Sequence, residues 1–513
     1  MKINLRTVLF LAGVLLIVSN PCSLAHTDVT AEQARDLVDS TNDLIVVDVR
    51  EPYEYRDARG HIPGALNYPW SSGVLRARYE ELPTDGPVLV VCRSGGRSNA
   101  AASFLDSNGF STVYDMLGGM SAWQWETTPC KYSGGSGTAD DPYQIATAGG
   151  LIALGESPED YDKHFILTAD IDLDPDLPGR KVFDRAVIAP DTDWLTWDFQ
   201  GSPFTGVFDG NGHTISRLSI KGRTGHLGLF GQSADGANIL NLRMEAVDVS
   251  GNWLVGGLVG QNYGSITTCC SNGTINGYLY SGGGDYTGGL VGFNNGSITT
   301  SYSNCTVNGM VNGKPAGGSM WANREVGGLV GENWGHITTS YSTATVSGGK
   351  YVGTLVGYNG GFTGGITMSY SNGTVSGSSK CGGLVGGNAG SISTSYSTGT
   401  VTGYTDVGGL VGSNSGDITK SCSTGSVSGD SQAGGLVGEN WGGNVNSSLW
   451  DMETSDQTTS YGGTGKTTAE MQTTSTFLDA GWDFVDETAN GTEDIWWILE
   501  GQDYPRLWWE TQN

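Results

Sequence analysis

Positive charge is scarce in this 513-residue chain: 26 lysines and arginines stand against 53 aspartates and glutamates, a formal net charge of −27. That balance makes nucleic acid and anionic membrane surfaces poor partners, because both select clustered cations. Long apolar runs are scarcer still. One runs from Val8 to Val18, behind Lys2 and Arg6 and ahead of Ser23-Leu24-Ala25. It is too short for a membrane span and reads as a secretory signal peptide, residues 1–25, with cleavage after Ala25. No second run follows, so the mature chain is expected to be exported (periplasmic, extracellular or at the cell surface) without a transmembrane segment. Cys22 is not read as a lipid anchor, because Asn20-Pro21 before it departs from the usual small residues. Cysteine is sparse as well, with eight residues in all, and cleavage leaves the other seven in a compartment that permits disulfides. Cys130 is read as a free thiol near a linker.

What the chain does have begins with Cys92-Arg93-Ser94-Gly95-Gly96-Arg97. The apolar run Val88-Leu89-Val90-Val91 before it predicts a buried strand, and Asn99 to Leu105 after it predicts a helix. A cysteine between a strand end and a helix N-terminus sits where loop N–H groups and the helix dipole favour negative charge. That setting supplies thiolate, the nucleophilic form. Arg93 and Arg97 add positive charge, while Gly95 and Gly96 let the backbone curl its N–H groups inward. Cys92 is thus the candidate catalytic residue, and Arg93, Ser94, Gly95, Gly96 and Arg97 the candidate cradle for an anion or a charged sulfur.

Three further stretches accompany that loop in order: Asp48-Val49-Arg50-Glu51, Gly60-His61-Ile62-Pro63-Gly64-Ala65-Leu66-Asn67, and Leu117-Gly118-Gly119-Met120-Ser121-Ala122-Trp123. With them, residues 26–130 resemble a single-domain rhodanese, a sulfurtransferase. The resemblance implies a parallel sheet with helices on both faces, and a Cys92 that accepts sulfane sulfur as a persulfide. It further implies an anionic donor such as thiosulfate drawn by Arg93 and Arg97, a thiol or cyanide-like acceptor, and no cofactor. Four residues separate Cys92 from Arg97, similar to the sulfur-transferring members; the related cysteine phosphatases carry five.

Beyond Cys130 the composition shifts. Residues 131–139, with Ser133-Gly134-Gly135-Ser136-Gly137, read as a flexible linker, and most of the 82 glycines follow it. Gly-Gly-Leu-Val-Gly recurs with its Leu at 258, 290, 329, 384, 410 and 436, and once as Gly353-Thr354-Leu355-Val356-Gly357. The base period is about 26 residues, in the solenoid range. Aligned copies share columns: Asn262, Asn294, Asn333, Asn359, Asn388, Asn414 and Asn440; then Ile266, Ile298, Ile337, Ile366, Ile392, Ile418 and Val445; then Cys270, Tyr302, Tyr341, Tyr370, Tyr396, Cys422 and Leu449. Short strands stacked coil on coil predict a parallel β-solenoid. Its corners are expected to use glycine at positive φ, and its asparagines to tolerate left-handed geometry and hydrogen-bond in a ladder. The consensus resembles the GLUG repeats of bacterial surface proteins. Residues 225–450 form the repeats, 140–224 the entry and N-terminal cap, and 451–513, with Trp482, Trp496, Trp497, Trp508 and Trp509, the C-terminal cap. The fold class is therefore multidomain, an α/β domain followed by an all-β solenoid.

Other motifs fail. Gly462-Gly463-Thr464-Gly465-Lys466-Thr467 imitates a phosphate loop, but Ser460 replaces its first glycine. Asp170, Asp172, Asp174 and Asp176 alternate like a calcium loop, yet Pro175 holds the glycine position and Lys181 that of the last glutamate. No metal site is expected. Cys269-Cys270 are packing residues, Cys270 and Cys422 in the tyrosine column. In the repeats only Glu332 and Glu439 share a column, so no glycosidase-like carboxylate pair is expected. Two insertions, one carrying Tyr278, Tyr280 and Tyr286 and the other Trp321, fall at the same point of successive coils. They are the candidate ligand-binding loops, for a carbohydrate or another surface polymer. Two functions follow: an exported sulfurtransferase carried on a non-catalytic solenoid, or a surface adhesion protein whose first domain senses sulfur species without turnover.

Overall fold

A computed structural model describes residues 25–41, 43–55, 59–127, 131–177, 180–193, 198–223, 225–278, 286–311, 314–315, 325–361, 364–488 and 490–512. Residues 1–24 of the expected signal peptide, Cys130, Tyr280 and Trp321 lie outside these residues. The chain divides into two compact units, residues 1–130 and 131–513.

The first unit is a five-stranded sheet, every pairing parallel, in the order β1-β5-β4-β2-β3. Its strands are β1 (Thr27–Val29), β2 (Ile45–Asp48), β3 (Leu66–Asn67), β4 (Pro87–Val91) and β5 (Thr112–Met116). Between them run α1 (Ala31–Ser40), α2 (Pro52–Tyr55), α3 (Val74–Arg78) and α4 (Gly96–Ser107), with α5 (Gly119–Ala122) last. Alternation along β2 and β4 feeds two cores. Val47, Val88 and Val90 pack with Leu75 of α3 and Ala101, Ala102 and Leu105 of α4. Val46, Leu89 and Val91 pack with Ala34 of α1 and Met120 of α5. A parallel sheet buried on both faces needs apolar side chains at every position of its central strands, and Val88 to Val91 supplies them. Helix α4 starts three residues before the predicted Asn99, because Gly95 turns the chain at φ 102°.

The second unit is a parallel β-solenoid. One wall stacks eleven strands; a second stacks eight, from Phe230–Ser233 to Val437–Asn440. A third wall carries three strand segments per coil in its middle turns, such as Tyr341–Ser342, Thr345–Ser347 and Lys350–Gly353. The entry segment supplies the first three strands of the eleven-stranded wall: Tyr143–Ile145, His164–Leu167 and Val207–Asp209. The repeat leucines and valines, from Leu258-Val259 to Leu436-Val437, are completely buried in one continuous core.

The sequence columns are register columns. Asn262 pairs with Asn294, and the pairing continues through Asn333, Asn359, Asn388 and Asn414 to Asn440. Each Nδ2 donates to the next Oδ1, at 2.7 to 2.8 Å from Asn262 to Asn414 and at 3.3 Å from Asn414 to Asn440. Asn359→Leu deprives Asn333 Nδ2 of an acceptor and Asn388 Oδ1 of a donor, both buried. At about 1–3 kcal/mol for each stranded group, the solenoid should lose ~2–5 kcal/mol in denaturant unfolding followed by tryptophan fluorescence. A shift within error would show the ladder to be energetically idle.

The corners differ from expectation. The ladder asparagines are not left-handed; that geometry falls to Thr268, Thr300, Thr339, Met368, Thr394, Lys420 and Ser447, at φ between 46° and 54°. Each of the first six keeps its N–H on a carbonyl of the next coil, as in Thr268 to Thr299 at 3.0 Å and Thr394 to Thr419 at 3.0 Å, and this stacking holds the strained corner. Nor do the paired glycines serve positive φ. A Cβ on Gly353 would stand 2.1 Å from the Val356 carbonyl oxygen, and one on Gly383 2.1 Å from that of Gly409. They are glycines because neighbouring backbone passes too close for a side chain.

Tyr302, Tyr341, Tyr370 and Tyr396 stack face to face, with centroids 4.8, 5.0 and 5.1 Å apart. Cys270 and Cys422 continue that column at its two ends. Burial pushes both thiols up, which keeps them protonated and inert. Changing both to alanine should leave the sulfur-transfer rate unaltered; a large loss with the fold intact would contradict a packing role. The C-terminal segment pairs Thr464–Lys466 with Leu449–Asp451, then returns along the tyrosine wall. There Trp509 Nε1 donates to the Met368 carbonyl at 3.2 Å, and the Tyr396 hydroxyl donates to Glu510 at 2.7 Å.

The presumed linker is structured. Ser133 N–H donates to the Gln144 carbonyl and Gln144 N–H to that of Gly134, while Tyr132 is buried in the solenoid core. Read from composition alone, its glycines signal flexibility; here they fit against strand Tyr143–Ile145, where a Cβ on Gly135 would collide with Pro142.

Candidate functional site

Three loops meet at the carboxyl ends of β2, β4 and β5, the edge where parallel sheets place their sites. Cys92 follows β4 directly, with its side chain 1% exposed. The Gly95 N–H donates to Cys92 Sγ at 3.1 Å. Gly96 and Arg97 open α4, so their N–H groups belong to the first turn, which has no intrahelical acceptors. Ser94 and Gly96 are exposed. The Ser98 hydroxyl donates to the Gly95 carbonyl inside the first turn at 3.1 Å.

The loop after β5 clamps this one. Met120 N–H donates to the Cys92 carbonyl at 2.7 Å, and Ser121 N–H to that of Arg93 at 2.9 Å. Gly119, at φ 55°, lies so close that a Cβ would stand 2.3 Å from the Cys92 oxygen. The loop after β2 adds a buried ion pair. The Arg50 guanidinium forks onto Asp48 at 2.7 to 3.0 Å and also donates to the carbonyls of Glu54 and Gly60. His61 stacks on Tyr55 at 3.8 Å, and burial holds its imidazole below the usual range.

The two cations assigned to the cradle part company. Arg97 donates both guanidinium nitrogens to Glu54, at 2.6 and 2.8 Å, and this holds the Glu54 carboxyl below its usual range. Its charge is therefore largely answered inside the protein. Arg93 is exposed and makes no ion pair among the described residues. It borders a cavity of about 140 Å³, together with Arg50, Glu54, Arg59, Met120 and Ser121. Arg59 is drawn to the Met120 carbonyl at 3.1 Å. Sequence reasoning missed the roles of Arg50, Glu54 and Gly119, although the stretches that hold Arg50 and Gly119 were visible as motifs.

In the solenoid the insertions leave and re-enter at matched register positions, Tyr278 beside Met310 and Tyr286 beside Glu325. Glu332 is buried, accepts from Trp334 Nε1 at 2.7 Å and is pushed up by desolvation. Glu439 lies four coils from Glu332 along the column and pairs instead with Lys380 at 3.1 Å. The two carboxylates do not form an acid–base pair. The alternating aspartates are spent on neighbours: Asp170 accepts from Thr214 N–H, while Asp172 and Asp174 pair with Arg217.

A cysteine loop at a helix N-terminus, clamped over an all-parallel sheet, defines an α/β domain with one buried thiol at its site. Residues 30–126 match the rhodanese-like domain, and residues 251–276 and 322–347 match the GLUG motif. A sulfurtransferase of Allochromatium vinosum is 35% identical over 96 residues, 19% of this chain and 86% of that protein. The thiosulfate sulfurtransferase GlpE of Pseudoalteromonas translucida is 35% identical over 101 residues, 20% of this chain and 91% of that protein. Through this first domain the chain belongs to the rhodanese-like family, fused here to a GLUG β-solenoid. Halomucin of Haloquadratum walsbyi is 32% identical over 160 residues, which span 29% of this chain and 2% of halomucin. Among the described residues no helix is long and apolar enough to cross a membrane.

Proposed function

We propose that the protein is an exported sulfurtransferase that carries sulfane sulfur as a persulfide on Cys92, with the solenoid as a non-catalytic support at the cell surface. The observation that carries this reading is Cys92 at the N-terminus of α4, its sulfur accepting the Gly95 N–H. In the first half-reaction the Cys92 thiolate attacks the outer sulfur of thiosulfate. A Cys92–sulfur bond forms, and the sulfur–sulfur bond of the donor breaks as sulfite leaves with the electron pair. In the second, an acceptor such as cyanide attacks the outer persulfide sulfur, and Cys92 departs as thiolate. The N–H groups of the loop and of the first turn of α4 stabilise the negative sulfur in both resting states. Near-complete burial of Cys92 favours a slender donor that presents one terminal sulfur.

Export rests on the apolar N-terminal run and the repeat composition. The paired insertions around Tyr278, Tyr280, Tyr286 and Trp321 would hold a carbohydrate or another cell-surface polymer. The direct test is thiocyanate formation from thiosulfate and cyanide by the purified protein; no thiocyanate above a protein-free control would refute turnover.

Arg93 carries the donor's charge in this account. Arg93→Ala should raise the thiosulfate KM about tenfold, the ~1–2 kcal/mol of one charge-assisted contact, and leave kcat nearly unchanged. Steady-state kinetics at two salt concentrations checks it, because the advantage of the wild type should shrink as salt screens the charge. An unchanged KM would move donor binding elsewhere.

A further inference from the structure

We propose that the rhodanese-like domain holds a second site, for a divalent transition-metal ion of the zinc type, built from His26, Asp28 and Asp115. Strands β1 and β5 pair in parallel with Asp28 directly opposite Asp115, which brings two carboxylates to one face. His26 immediately precedes β1. One ligand atom from each of the three residues lies within 4.8 Å of the others.

Two independent observations turn this cluster into a site. Asp115 is 1% exposed, and although the Ser98 and Asn99 side chains approach its carboxylate, its Oδ1 has no hydrogen-bond partner. A buried carboxylate oxygen without a donor is costly, and side-by-side carboxylates add repulsion; a dication removes both costs. The second observation concerns the imidazole. His26 Nδ1 lies 2.9 Å from Asp106 Oδ2, which also accepts the His26 backbone N–H at 2.8 Å. A carboxylate can only accept, so Nδ1 is the donor of that bond and Nε2 is the ring nitrogen left to face a metal. Nε2 in turn faces Asp28 at 3.8 Å and the Asn99 amide at 3.2 Å. An imidazole oriented by a carboxylate behind it is the usual support of a metal-bound histidine.

The donor set selects the ion. One imidazole nitrogen and two carboxylate oxygens suit zinc-type ions, whereas calcium and magnesium take oxygen ligands. Tetrahedral bonds of ~2.0–2.2 Å put ligand atoms roughly 3.3–3.6 Å apart, so the cluster must close by about an ångström. Asp28, whose side chain is 55% exposed, can supply that movement, and His26 at 12% leaves a path from solvent. His26 and Asp28 stand two residues apart, but Asp115 lies far along the chain, so the sequence alone does not bring the three together.

The test is zinc titration by calorimetry on the full chain in a Cys92→Ser background, where the thiol cannot compete. One tight zinc per chain is expected above the weak background of the acidic solenoid. Asp115→Asn and His26→Gln should each weaken that site more than tenfold, and Asp106→Asn about 10- to 100-fold. Should Asp115→Asn unfold the domain, His26→Gln still decides, since it lies outside the strand. With cobalt(II) in place of zinc, the visible absorption of a nitrogen-bearing site should vanish in His26→Gln. Equal zinc stoichiometry and affinity in the wild-type side chains and in His26→Gln would overturn the proposal, leaving His26 as an ion-pair partner of Asp106. The readout is binding, so it stands whether or not the protein transfers sulfur.

Discussion

Cys92→Ser should lower thiocyanate formation from thiosulfate by at least ~10³-fold while leaving the fold intact. Serine is nearly isosteric and can accept the same Gly95 N–H, so the loop has no reason to move. What disappears is chemistry: a hydroxyl has neither the nucleophilicity of a thiolate nor a stable bond to sulfane sulfur. No other described thiol can take over. Cys269, Cys270, Cys305, Cys381 and Cys422 are all buried in the solenoid, and burial pushes Cys269 and Cys381 up to about 12. Steady-state rates of wild type and variant decide the matter, and retained turnover in Cys92→Ser would remove the residue from the reaction.

Gly119→Ala should also be damaging, though less so, without touching a reacting atom. The new Cβ would stand 2.3 Å from the Cys92 carbonyl oxygen and 2.7 Å from both Arg93 C and Ser94 N. All three are backbone atoms, so no side-chain rotation relieves the clash, and φ 55° adds strain of its own. The Cys92 loop must shift, which loses the two hydrogen bonds from Met120 and Ser121 or bends them. A displacement of about 1 Å at a reacting group costs on the order of 10²-fold in rate. Strain and overpacking together should cost the first domain ~2–4 kcal/mol. Kinetics and denaturant unfolding measure the two effects; an unchanged kcat would show that the loop does not depend on this close approach.

Much of this was readable in the chain because both units write their geometry into local pattern. An apolar strand, a cysteine and two glycines before a helix leave few conformations for residues 88–107. The solenoid repeats its columns often enough that Asn359 or Tyr370 need only be aligned to be placed. What escaped depends on contacts between distant residues. Arg97 belongs to Glu54, 43 positions away, and nothing in Cys-Arg-Ser-Gly-Gly-Arg distinguishes a substrate arginine from a structural one. Left-handed corners at Thr300 and Thr339 contradict local preference, since β-branched residues avoid that region; stacking between coils overrides it. The return of the C-terminal segment over Tyr341, Tyr370 and Tyr396 is likewise invisible in composition, which marks its tryptophans as buried without saying against what. The ordered Ser133–Gly137 stretch shows the opposite hazard, glycine chosen for close packing and read as freedom.

The central claim is that sulfur travels on Cys92. Mass spectrometry of the protein after incubation with thiosulfate and removal of the donor tests it most directly. The account predicts a gain of one sulfur atom on the peptide that contains Cys92, lost again on adding cyanide with thiocyanate released in equal amount. A Cys92 peptide of unchanged mass, or the added sulfur on another cysteine, would contradict it.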